Sequence, residues 1–139
     1  MNATLLETRN LVNGTTLHLY DASRRQAADR WIVTLEARLD IPVDENTFAV
    51  ERPEGVDLQA VRKMLGDQVT YVSRKERVFV SDRDKERLLQ AFRNEFGQTA
   101  LAYLSRPAFA ARFIRKQYRE ACEKQAWQEP LANPHEDHD

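Results

Sequence analysis

A chain of 139 residues with 42% apolar and 31% charged side chains has the balance of one folded domain, which excludes a disordered polyelectrolyte. Its 21 basic and 22 acidic residues nearly cancel, so overall charge singles out no polyanion as partner. The single cysteine, Cys122, excludes an intramolecular disulfide and fits a reducing, cytoplasmic setting. Met1 to Val12 contains Glu7 and Arg9 and lacks the apolar run of a signal peptide. No stretch approaches the roughly 20 apolar residues of a membrane span.

Residues 1–14 read as a lead-in ending at the turn signal Asn13-Gly14. Thr16 to Tyr20 alternates, with Leu17 and Leu19 on one face, and predicts a strand. Asp21-Ala22-Ser23 is expected to turn, because Asp and Ser side chains accept hydrogen bonds from nearby backbone N–H groups. Arg24 to Asp29 follows as a loop or short helical turn. The clearest strand runs from Arg30 to Ile41. Trp31, Val33, Leu35, Ala37, Leu39 and Ile41 share one face, and only Ile32 breaks the polar alternation on the other. One buried and one wet face imply an antiparallel sheet.

Residues 42–55 read as a loop with a short extended piece at Thr47 to Val50. Asp57 is placed to cap a helix carrying Leu58, Val61 and Leu65, and Gly66 to end it. Val69 to Val72 and Val78 to Val80 then predict a hairpin around the charged run Ser73 to Arg77, with one long bent strand as the alternative. Ser81 with Asp84 resembles a capping box. Leu88 to Leu104 recurs at helical spacing, weakened at Gly97, and Pro107 opens a second helix that carries Phe109, Phe113, Ile114 and Tyr118. Pro130 and Pro134 are expected to end regular structure.

The expected fold is therefore α+β: about four antiparallel strands with helices on one face, in the order ββαββαα, closing with a helical hairpin. A single domain over residues 1–128 precedes a disordered acidic tail at 129–139. Without that tail the chain has 21 basic and 18 acidic residues, a mild positive bias.

No glycine-rich phosphate loop, metal-binding helix motif or nucleophile elbow is present, so neither a cofactor nor a metal is expected. His135, Asp137, His138 and Asp139 match no closed metal spacing. Cys122 lies on an apolar helix face, and His18 has no obvious partner. Three surfaces remain as candidates.

The first is the aromatic row Phe96, Tyr103, Phe109, Phe113, Tyr118 and Trp127, more apolar surface than one small sheet needs. It supports the leading expectation, a non-enzymatic interaction or regulatory protein, with self-association through residues 84–127 or another protein as partner. The second is the basic row Arg112, Arg115, Lys116 and Arg119, which could follow nucleic-acid phosphates or simply be a solvated face. The third is the polar loop with Asp21, Ser23, Arg25 and Arg30, beside Glu36 and Arg38, as a small ligand or enzyme site. Within it, Asp21-Ala22-Ser23-Arg24-Arg25-Gln26 resembles the D-x-S-x-x-G element of cyclic-dinucleotide-binding PilZ domains. Gln26 stands at the glycine position and no R-x-x-x-R pair precedes it, so the likeness stops at this run.

Overall fold

The computed structural model describes residues 3–49 and 57–132. Its axis is a long strand, named β4 here, at Arg30–Pro42. Before it come β1 (Thr4–Asn10), β2 (Thr16–Asp21) and β3 (Arg24–Ala27). β1 pairs with β2, and β2 and β3 both pair with one side of β4, all antiparallel. The opposite side of β4 pairs with β5 (Gln68–Ser81). The class is α+β, as the patterning predicts.

β1 replaces the expected lead-in. The turn that joins it to β2 closes through Leu11 N–H to Thr15 C=O at 2.9 Å, with Gly14 at φ 86, where a side chain would be strained. Asn13 also donates to the Leu104 and Arg106 carbonyls at 2.8 and 3.0 Å, which ties the turn to a helix end. β3 replaces the loop expected at Arg24 to Asp29. It continues the line of β2 after a break in which Ser23 N–H donates to Asp21 Oδ1 at 2.9 Å. The Ser23 hydroxyl accepts from Thr34 N–H at 3.0 Å, so the partner strand keeps its hydrogen bond across the break.

β5 corrects the expected hairpin and matches its alternative, one long bent strand. Ser73 to Arg77 does not turn, because β4 offers a partner at each position, from Ala37 opposite Ser73 to Val33 opposite Arg77. One extra residue on β5 enters opposite Ile32, a β-bulge, and Phe79 there adopts φ 60. The second face of β4 is also drier than predicted: Thr34 and Glu36 are buried along with Ile32. Flanking arginines cover Glu36, as described below.

Between β4 and β5 lie α1 (Glu45–Ala49) and α2 (Leu58–Leu65). α1 replaces the extended piece expected at Thr47. Asp44 begins it by accepting from Thr47 N–H at 2.9 Å, while Val50 lies outside the described residues. Asp57 caps α2 through Gln59 N–H at 3.3 Å, and Gly66 ends it at φ 85. α3 (Lys85–Glu95) continues through a π-helical turn at Phe96–Ala100 into α4 (Leu101–Leu104). Ser81 donates its hydroxyl to Asp84 at 3.1 Å, but Asp84 makes no side-chain bond to the helix backbone, so the expected capping box is absent. α5 (Pro107–Ala132) runs through Pro130, and the remainder of the expected tail lies outside the described residues.

The odd-numbered face of β4 packs Val33, Leu35, Leu39 and Ile41 against Leu89, Phe92, Leu104, Phe109 and Ile114 of the helices. α5 also packs against α1 and α2. β5 is left as a long outer strand whose inward side chains border the gap between sheet and helices.

Candidate functional site

Three hollows follow one another along β5. The period-two geometry of a strand sends Tyr71, Ser73, Lys75 and Arg77 toward the helices, since they pair with the inward residues Leu39, Ala37, Leu35 and Val33. At the Tyr71 end a hollow of about 250 Å³ is floored by aromatic rings. Tyr71 meets Phe109 and Phe113 edge-on at 5.4 and 5.5 Å between centroids, and Tyr103 meets Phe109 at 5.2 Å. Arg106, whose guanidinium lies 5.5 Å from the Tyr103 ring, shares the rim with Arg112 and Lys116.

A second hollow of about 190 Å³ lies under Ser73 and Lys75, against Phe92, Phe96 and Thr99. Lys75 is ion-paired to Glu95 there and lies 5.7 Å from the Phe92 ring. The third, about 540 Å³ and more open, surrounds the bulge. Arg30, Arg77, Arg83 and Arg87 line it, and Arg30 stacks on the exposed Phe79 ring at 5.0 Å. Phe79 N–H donates to the Gln26 side chain at 2.8 Å, which holds the bulge in place. Beside it Trp31 is held between Arg25 at 4.7 Å and Lys85 at 4.1 Å.

The electrostatics of these hollows are one-sided. Among the described residues eight cationic side chains line them, against two carboxylates, Glu95 and Asp84, while Arg74 turns to the opposite face and pairs with Glu36. Both carboxylates are already paired, with Lys75 and Arg87. Hydrogen bonds from Arg87 and Ser81 hold Asp84 below the usual carboxylate range, so it stays ionised and engaged. A nearly neutral chain thus gathers its positive charge along one strand.

The aromatic row is split by the structure. Phe109 is buried, Phe96, Phe113 and Tyr118 pack onto the core, and only Tyr103 and Trp127 stand exposed. The excess apolar surface inferred from the sequence is largely covered within the chain. Of the basic row, Arg112 and Lys116 join the aromatic hollow, while Arg115 is half-buried and Arg119 lies exposed on the same helix. The polar loop separates: Asp21 and Ser23 maintain the strand break, whereas Arg25 and Arg30 lie beside Trp31 and Phe79. Glu36 and Arg38 are remote from Arg25 in register, near the middle of β4.

The helix-free face of the sheet carries a different arrangement. His18 Nε2 is hydrogen-bonded to Asp40 at 3.1 Å and its Nδ1 to the Thr8 hydroxyl at 3.2 Å, and Asp40 also accepts from the Thr70 hydroxyl at 3.1 Å. This row gives His18 the partners that its sequence context did not reveal. It links β1, β2, β4 and β5, and none of the hollows above opens onto it. Next to it Glu36 accepts from Arg38 at 2.6 Å and from Arg74 at 2.5 Å. Burial alone would raise the Glu36 carboxyl, but the two guanidinium groups outweigh it and hold the carboxyl below its ordinary value.

Cys122 is half-buried rather than enclosed, and its hydrogen bond with Tyr118 pushes that phenol up. Among the described residues no cluster of His, Cys, Asp and Glu is arranged to hold a metal, and the tail histidines lie outside them. No helix among the described residues is long and apolar enough to cross a membrane. Local sequence does not mark the bulge hollow, because its arginines are scattered between Arg30 and Arg87; the charged run before Phe79 is the signal it offers. Compared with known proteins, the chain matches no family model, no curated protein and no solved structure.

Proposed function

We propose that this protein is a non-enzymatic interaction module that takes an acidic segment of a partner protein into the groove along β5. The carrying observation is the charge of that groove: among the described residues eight cations against two carboxylates, with only Lys75 and Arg87 paired to those two and Arg30 lying beside Asp29. The aromatic floor at the Tyr71 end supplies an apolar seat, and aromatic and arginine side chains are the common anchors of protein interfaces. The Thr8–His18–Asp40 row does not support hydrolysis, because it serves as a cross-strand tie away from any of the three hollows. A cytoplasmic setting accords with the unpaired Cys122.

A fluorescein-labelled peptide alternating Glu with Val is the probe, read by anisotropy across a salt series. Binding should weaken as salt rises. Arg77→Glu and Lys116→Glu should each weaken it by roughly threefold to tenfold, the range for partly solvated charge contacts. The aromatic seat should contribute as well, so Tyr103→Ala should also reduce affinity. Affinity in both charge-reversed variants equal to that of the unaltered protein would defeat this reading.

A further inference from the structure

We infer that the free edge of β5 receives the acidic partner segment as an added β-strand. This rests on the reading of the groove as a site for an acidic partner and names how that partner is held.

β5 is 14 residues long and pairs with β4 along one side. Among the described residues no strand pairs with its other side. At about 3.3 Å per residue, the edge from Thr70 to Val78 spans roughly 26 Å. Half of its N–H and C=O groups point away from β4, as in any antiparallel edge. A guest strand would continue the pleat, so every second guest side chain would lie on the same face as Tyr71, Ser73, Lys75 and Arg77. That is the face onto which the hollows open, and the cations there select acidic side chains at alternate positions. The other guest side chains would lie over the helix-free face.

The occupant is a partner's segment rather than a second copy. Antiparallel self-pairing about the midpoint of β5 would set Arg74 opposite Lys75, and like charges directly opposite are unfavourable. Nor does the edge suit a nucleic acid. The exposed rings bordering the groove, Tyr103 and Phe79, lie at its opposite ends and form no stacking track.

The decisive probe is the Glu–Val peptide in two backbone-methylated copies. One carries N-methyl groups on the odd residues and the other on the even residues. Strand addition uses only one set of guest N–H groups, so one copy should bind at least about tenfold more weakly than the parent while the other stays close to it. Amide exchange in the full chain should slow at Thr70 to Val78 when the parent peptide is added. If both methylated copies bind like the parent, and Arg77→Glu still weakens all three, strand addition is wrong while acidic recognition stands. If the parent peptide fails to bind, or only an oligo-deoxythymidine binds, both readings fall. Exchange at Thr70 to Val78 that is already slow without peptide and speeds up on dilution would also overturn the proposal, since a second copy would then own the edge.

Discussion

Glu36 shows how a single residue changes the character of a sheet face. It is 2% exposed, on a face that alternation alone marks as wet. Arg38 from its own strand and Arg74 from β5 cover it and keep it charged. Because its carboxyl is held below the ordinary value of 4.5, Glu36 stabilises the fold fully above that pH and loses the contribution as acid protonates it. Glu36→Gln should therefore lower stability at neutral pH by about 1–2 kcal/mol, discounted because both arginines are about half exposed. Denaturant melts at several pH values should show the variant and the parent converging as pH falls. Phe79 is the second such residue. Its left-handed backbone costs a bulky side chain roughly 1–2 kcal/mol, which glycine would not incur. Phe79→Gly should accordingly be more stable than Phe79→Ala by about 1 kcal/mol, the reverse of the usual order within a strand. Chemical denaturation of the pair decides it.

At the scale of elements, what the sequence made legible depended on how far each signal was local. β4 was legible because twelve residues alternate with Ile32 as the one break, and α2 because Asp57 and Gly66 mark both ends. β5 was not, since Ser73 to Arg77 is a turn by composition and a strand by pairing, and the pairing partner lies some forty residues earlier in the chain. β3 was hidden in the same way: the Asp21–Ser23 motif does bond locally, yet the chain resumes its ladder beyond it. Gly97 was visible as a weak point, although not as part of a π-helical turn between α3 and α4. A Cβ added there meets nothing within 4 Å, and the position has no positive φ. Gly97→Ala should raise unfolding stability by about 0.5–1 kcal/mol with an unchanged denaturant slope, chiefly by restricting the unfolded chain.

For the molecule as a whole, the candidate site was only partly legible. Arg112 and Lys116 were legible as a basic row, and Tyr103, Phe109 and Phe113 as an aromatic one. That the two rows meet against Tyr71 follows from the corner between α4 and α5, which no local pattern specifies. From the topology an order of assembly is expected, local pairings before the distant one. β1 to β4 form a meander with short connections, while β5 must return across residues 43–67 before it can pair. A nascent chain that has made β4 but not yet docked β5 presents the 13-residue edge of β4, with Val33, Leu35 and Leu39, to any neighbouring copy. Docking replaces that apolar edge with one interrupted by Arg74-Lys75-Glu76-Arg77, so the groove's charged centre doubles as a gatekeeper against aggregation of newly made chains.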